Sequence, residues 1–452
     1  MRCSIGSKLI SIELAESVSS EHRPFVVNIT RYGLPIVVGI FYLTASRGFE
    51  YTSESTFQLL NIMNNSSTVS SGDGVPSPLW QFLLTVGGRL NLNSLLAAKV
   101  LGLVFSCIAI LVVYLTANEI LRDHLTAFCV SLVAAMQGWL LQIAPSGSPF
   151  TLAMTLTFAG LFFMLRNEYV VAPFMFGLCT LVSWQAVFFM IPLCVDIWMN
   201  SVSKKRAAKV LLSGCLVYLC ALLPWLLFVW KNGGDGLPVL LPVSELPQLS
   251  PFAWIVLTLL VAVAGTGFVV ALRFSGNARE AVRTHSGLLM FVVVAGLIGI
   301  VYHTEMWLVV IPVVAALAFL GLAELLKHLG HQHLLYSASF VLTGLLLVHL
   351  QLDYYRVNKP AMESAIGQAT ELYSPAEWLR LNTTPSQTVC AEHPHILEYY
   401  AQRLVIPLKE NDEACGDFIV TSRQHVTGYE VVSKLDRESS EVSSAYAVWR
   451  KK

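Results

Sequence analysis

The residues best suited to chemistry are a few acids and cations set in an apolar chain. Glu50 and Glu54 stand four apart just beyond the first apolar run, and Asp73 follows in Gly72-Asp73-Gly74. A carboxylate can act as a general base toward a hydroxyl group. If this stretch is helical, Glu50 and Glu54 share one face and could work as a pair or hold a divalent metal, although two carboxylates are a weak metal signal. Arg89, Lys99, Lys231 and His303, the last beside Glu305, are the cations that could hold an anionic group as its charge builds. Lys99 stands out because it lies inside an apolar run, where a charge is costly and generally faces the bundle interior or a cavity. Each has a plainer reading. The acids can be solvated loop residues, Asp73 a turn residue, Lys99 a side chain snorkelling to the interface, and His303 with Glu305 an exposed pair.

The elements that must position these groups are membrane spans. The chain has 452 residues, 55% hydrophobic and 13% charged, with a mean hydropathy of +0.62. A soluble globular chain carries about 25% charged residues. Apolar runs of about 18 to 23 residues recur through the first 350 positions, long enough for a ~30 Å hydrocarbon layer. The class is a polytopic α-helical membrane protein. A net charge of zero argues against a nucleic-acid partner. Residues 1–27 carry Glu13, Glu16 and Glu21 and no long apolar core, so they read as a cytoplasmic segment rather than a cleaved signal. About eleven spans are expected, near 28–45, 94–117, 123–144, 149–166, 168–184, 185–199, 208–230, 252–272, 285–302, 305–326 and 334–350. The long polar loop 46–93 interrupts them, with a short interfacial helix over Pro78 to Leu90.

With the N-terminus inside, Arg122, Arg166, the Lys204-Lys205-Arg206 cluster, Lys209, Arg273, Arg279, Arg283 and Lys327 fall in inner loops. The outer loops keep few basic residues, Arg47, Arg89 and Lys231, as the positive-inside rule requires. Loop 46–93, the Pro145–Pro149 turn, segment 231–251 and His303-Thr304-Glu305 then share the outer face. Residues 28–350 form the membrane domain. Beyond Gln351 the chain turns polar, and 351–452 reads as a small extracytoplasmic α/β domain. There Ser374-Pro375-Ala376-Glu377 looks like a capping box opening a helix. Four strands are expected within TVCA, RLVIPL, DFIVTS and AYAVWR, with a helix over HILEYYAQ. Cys107, Cys129, Cys179, Cys194, Cys215 and Cys220 lie in spans and are expected to pack. Cys390 and Cys415 lie in the outer domain, where an oxidising compartment would allow a disulfide.

Over most of its length the chain resembles the GT-C glycosyltransferases, polytopic enzymes that use polyprenyl-phosphate sugars. It is similar to bacterial arabinofuranosyl-, mannosyl- and aminoarabinosyl-transferases of that group. Glu50 takes the place of the family's leading acid, Asn61 that of its helix asparagine, and Val75-Pro76-Ser77-Pro78-Leu79-Trp80 that of its Ser-Pro-Leu-Trp turn. LLAAKVLGLVF over 95–105 resembles the next span, Ser146-Gly147-Ser148-Pro149-Phe150 an outer turn, and His303-Thr304-Glu305-Met306-Trp307-Leu308 a late outer-loop motif. The tail around Ala376 to Arg380 and Leu397 to Val405 resembles the group's outer domain. Departures are the single acid at Glu50, Met306 where an Arg is common, and Trp184-Gln185-Ala186 where the family often has Arg-Pro-Glu.

The resemblance implies transfer of a sugar from a polyprenyl-phosphate donor to a lipid-linked glycan, polysaccharide or protein acceptor on the outer face of the cytoplasmic (inner) membrane. Glu50 would be the base, with Glu54 as its companion. Arg89, Lys99, Lys231 and His303 would face the phosphate, and Glu305 and Asp73 the substrates. No cofactor is required beyond a possible divalent metal. Two other readings stay open: a GT-C-like scaffold that binds lipid or glycan without turnover, and a transporter or flippase, against which the absence of an internal repeat counts.

Overall fold

The computed structural model describes residues 33–45, 50–52, 54–64, 75–89, 93–201, 203–232, 238–239, 278–302, 309–331, 334–408, 416–422, 426, 428–433 and 446–451. Among these, Ser94–Leu121, Lys204–Leu227 and Leu335–Asn382 are each long and apolar enough to cross a bilayer. His124–Ala135 and Leu140–Ser146, bent by 67° at their junction, make a further crossing if they act as one span. Shorter apolar helices occupy Leu34–Thr44, Phe150–Leu165, Val171–Thr180, Trp184–Asn200, Ser286–Ile298 and Val310–Ala323. The expected span at 252–272 lies outside the described residues, as do Asp73, His303, Glu305 and Cys415.

Helix Ser94–Leu121 shows how sequence sets this architecture. Its 28 residues extend about 42 Å, more than a ~30 Å hydrocarbon layer. The Asn93 side chain caps it by accepting from the Leu95 amide at 2.9 Å. At the other end Arg122 is left-handed, with φ 53°. Asp123 then caps the next helix, accepting from the Thr126 amide at 2.9 Å. Leu96, Val100, Val104 and Ile108 are exposed, a four-residue spacing that makes one outward apolar stripe. Ala98, Lys99, Gly102, Ser106 and Ala109 are buried. Small residues here let neighbouring backbones approach, and a Cβ on Gly102 would stand 2.8 Å from the Ala144 carbonyl oxygen. Thr155 Oγ1 donates to the Phe105 carbonyl at 2.8 Å, tying on helix Phe150–Leu165.

Several connections meet at one end of the bundle. Strand β1 (Val75–Pro76) pairs in parallel with β2 (Pro238–Val239). Ser77 Oγ donates to the Val182 carbonyl at 3.0 Å, and the Leu79 amide to the Leu181 carbonyl at 3.2 Å. Helix Pro78–Arg89 follows, with Trp80 fully buried against Phe105. The opposite end carries the Arg166–Glu119 pair at 3.5 Å. Near it Asp196 accepts from Tyr169 Oη at 2.9 Å and from Asn200 Nδ2 at 3.0 Å.

Helix Leu335–Asp353 passes through a π-helical turn at Tyr354–Asn358 into helix Lys359–Asn382, so the backbone has no break at Gln351. The capping box expected at Ser374 is corrected: Ser374 to Glu377 lie inside Lys359–Asn382, with Pro375 in its interior. An interior proline costs about 3 kcal/mol. Leu372, Ala376 and Leu379 on the same stretch are buried in a core, and each buried leucine returns about 1.5–3 kcal/mol.

Five strands follow: β3 (Val389–Ala391), β4 (Val405–Pro407), β5 (Phe418–Thr421), β6 (Tyr429–Ser433) and β7 (Ala447–Lys451). Their order is β4-β3-β5-β7-β6. β3 is parallel to β4 and β5, and β7 is antiparallel to β5 and β6. Helix Pro394–Ala401 makes the crossover from β3 to β4. Strand β6, absent from the expected set, is an edge strand. Val389, Ala391 and Val420 pack on the helices, while Cys390, Ile419 and Trp449 cover the other face, the two-residue alternation of a strand. Cys390 is disulfide-bonded. Among the spanning-segment cysteines, Cys129 and Cys179 are buried, but Cys215 and Cys220 are exposed. They share the outward face of helix Lys204–Asn232 with Leu212, Leu216, Leu219 and Leu223, so the expectation that they pack in the core is corrected.

Candidate functional site

Lys99 is the organising charge. It lies about 9 Å along its helix from the Asn93 cap, on the buried side that flanks the exposed stripe. It is 5% exposed, whereas a snorkelling lysine would share the side of Leu96 and Val100. Removing an ammonium from water is costly unless an opposite charge or hydrogen bonds balance it. Burial is the larger influence on the Lys99 ammonium, and the Glu50 carboxylate attracts it through space as the smaller one. Glu50 itself is exposed, in a turn. One member of the pair is therefore reachable from solvent and the other is sheltered by protein.

The loop that carries Glu50 is anchored on both sides of it. Leu34–Ala45 precedes it, with Tyr42 fully buried. Directly after it, Tyr51 is buried and its hydroxyl accepts from Gln142 Nε2 at 2.9 Å. Thr56, on helix Glu54–Asn64, is fully buried. Its methyl lies 3.1 Å from where a Cβ on Gly147 would stand, and Ala98 Cβ lies 3.0 Å from the same point. Gly147 has φ +84°, a conformation open to glycine at little cost. The Ala144–Ser146 3-10 turn and Gly147 thus wedge between the loop helix and the helix of Lys99.

The helix begins at Glu54, and Glu50 precedes it. The shared helical face assumed for these two acids is therefore corrected: Glu50 is in a turn, Tyr51 and Thr52 are not helical, and Tyr51 is held by Gln142. For Glu54 and Lys231 the backbone is helical and the side chains lie outside the described residues. Among the described residues no three His, Cys, Asp or Glu side chains form a metal-ligand group. The described carboxylate at this site is Glu50 alone. Arg89 is exposed at the C-terminal end of Pro78–Arg89. Gly87 of that helix packs on Ala97, where a Cβ would lie 3.2 Å from Ala97 Cβ, which brings the segment beside Lys99.

Other residues of this region carry no signal of their own in the sequence. Gln142 and Thr56 are ordinary polar residues in apolar surroundings. Asn61 proves to be a tie between domains: its Nδ2 donates to the His395 carbonyl at 2.8 Å and reaches Glu398 Oε2 at 3.5 Å. Phe57 of the same helix lies in the core of the C-terminal domain, with Leu372, Leu379 and Leu397.

No protein-family model matches the sequence, and no curated protein matches it. Its backbone is similar to that of ArnT from Cupriavidus metallidurans solved with undecaprenyl phosphate. That likeness has a TM-score of 0.57 at 14% identity and covers 93% of this chain and 97% of that one. It is also similar to the Archaeoglobus fulgidus oligosaccharyltransferase in its apo form, with a TM-score of 0.53 at 12% identity over 87% of this chain and 69% of that one. A structure of the same archaeal enzyme, AglB, with an inhibitory peptide and a dolichol-phosphate matches with a TM-score of 0.50 at 12% identity, over 86% of this chain and 69% of that one. At such identities the likeness is one of fold: the chain of this membrane protein is folded like ArnT and like the archaeal oligosaccharyltransferase.

Proposed function

We propose that the protein transfers a sugar from a polyprenyl-phosphate donor to a hydroxyl- or amide-bearing acceptor at the outer face of the cytoplasmic membrane. In this reading the end that gathers β1, β2, Gly147 and Asn93 is extracytoplasmic, and the basic end near Arg166 and Lys204 is cytoplasmic, as the positive-inside bias favours. About eleven spans cross the bilayer, and residues 351–452 form an outer α/β domain held by a Cys390–Cys415 disulfide. The observation that carries the reading is Lys99, an ammonium buried inside an apolar helix within electrostatic reach of the exposed Glu50 carboxylate, in a fold like that of ArnT.

The chemistry follows from that asymmetry. Glu50 takes the proton from the acceptor as its oxygen or nitrogen attacks the anomeric carbon. The bond from that carbon to the phosphate oxygen breaks, and its electron pair stays with the polyprenyl phosphate. Lys99 holds the growing negative charge where water is excluded, and there it acts more strongly than it would in solvent. Arg89, Lys231 and His303 are the further cations of this end, and Asp73, Glu54 and Glu305 its further acids. The donor's tail lies along the apolar outer surface of the bundle. The test is transfer of radiolabelled sugar in membranes, wild type against Glu50→Gln. Donor binding without any transfer by the wild type would instead favour a non-catalytic scaffold, the reading suggested by Glu50 standing without a neighbouring second acid.

A further inference from the structure

A cavity of about 490 Å³ opens where the start of helix Ser94–Leu121 meets the C-terminal domain. Its size falls within the ~300–1,000 Å³ typical of small-ligand sites. Ser94, Tyr373, Glu377, Arg380, Tyr399 and Tyr400 line it. Ser94 is about 7.5 Å along the helix from Lys99, so the cavity neighbours the charged pair without including it.

The lining has two parts. The first is aromatic. Tyr399 and Tyr400 stand 5.3 Å apart at 78°, and Tyr373 and Tyr400 5.4 Å apart at 77°. Edge-to-face packing of this kind fixes the rings, and Phe57 packs behind Tyr399 and Tyr400. Tyr373 is 51% exposed. The second part is polar. Glu377 and Arg380 pair at 3.6 Å, one turn apart on helix Lys359–Asn382, both about half exposed. Their charges cancel, so a phosphate or an ammonium gains little net attraction here. A guanidinium and a carboxylate held side by side offer donors and acceptors together. Fixed ring faces with a neutral rim of donors and acceptors match a molecule that has an apolar C–H face and an edge of hydroxyls.

We infer that this cavity is a saccharide subsite that holds neutral sugar residues of the acceptor away from the point of transfer. The word acceptor rests on the proposed transferase reading; the saccharide class rests on the cavity alone. The subsite joins the two domains, since Ser94 belongs to a spanning helix and the tyrosines to the outer domain.

The test is equilibrium binding to the full-length protein in phospholipid nanodiscs by titration calorimetry. The neutral probes are mannotetraose and arabinotetraose, with tetragalacturonate and chitosan tetramer as charged probes. Saturable binding of a neutral tetrasaccharide is expected, weakened about tenfold or more by Tyr373→Ala and by Arg380→Met. Both side chains are largely exposed, and an unchanged melting temperature confirms that each variant is folded. Absence of binding by either neutral probe, binding unaffected by both substitutions, or preference for a charged probe would overturn the inference. Binding is read without turnover, so failure here leaves the transfer assay standing, and failure of transfer leaves this result standing.

Discussion

Phe57 of the first loop and Tyr399 of the C-terminal domain lie with ring centroids 5.4 Å apart at 55°. Phe57 is 1% exposed and belongs to the core that also contains Leu372, Leu397 and Phe418. The segment after Glu50 is thereby built into the core of the C-terminal helices and strands as well as into the bundle. Phe57→Ala should cost about 3–5 kcal/mol in that core. A lowered melting temperature and earlier proteolytic cleavage of the C-terminal domain in the full-length protein would show it; an unchanged cleavage pattern would deny the anchoring role.

Gly147 is the wedge between the loop helix and the helix of Lys99. Its φ of +84° and the 3.0 Å approach of Ala98 leave no room for a side chain. Gly147→Ala should lose about 1–2 kcal/mol from the left-handed backbone alone and more from the contact. Because Ala98 adjoins Lys99, transfer should fall by more than the fraction of unfolded protein explains. Rates normalised to folded protein test this.

Lys99→Met removes the charge proposed to hold the leaving phosphate. Loss of a preorganised group of this kind costs about 10²- to 10³-fold in rate. Single-turnover transfer with saturating donor measures it. A decrease of less than about threefold would remove Lys99 from the reaction.

Alkaline pH should weaken the core around Tyr399 and Tyr400. Burial is the main cause that raises the Tyr399 phenol above its ordinary value of 10.0, and burial followed by the charges of Tyr399 and Tyr373 raises Tyr400. In the window between the unfolded and folded values, the folded state holds protons that the unfolded chain has released. Stability is therefore complete below pH 10 and falls as pH rises through the folded values. Tyr400→Phe should flatten the fall of melting temperature between about pH 9.5 and 11.5; an identical slope in wild type and variant would contradict the assignment.

Much of the helical layout was legible because apolar runs of span length leave few alternatives. Lys99 was legible for the same reason, as a charge inside such a run. Strand β6 was not: it is a five-residue edge strand, Tyr429–Ser433, and too short a stretch for its alternation to stand out. The capping box at Ser374 was misread because local preference at Pro375 yields to burial of Leu372, Ala376 and Leu379. The Tyr51–Gln142 hydrogen bond and the insertion of Phe57 into a distant core join residues far apart in the chain, and no local pattern encodes such pairings. The same holds for the cavity, whose walls come from segments almost three hundred positions apart.

The Glu50–Lys99 pair is tested most directly by transfer of radiolabelled sugar from a polyprenyl-phosphate donor in membranes, comparing wild type with Glu50→Gln at equal expression. Glutamine keeps the shape and removes the base. Transfer should fall about 10²- to 10⁴-fold while donor binding persists. Transfer by Glu50→Gln at the wild-type rate would contradict the assignment of Glu50 as the base.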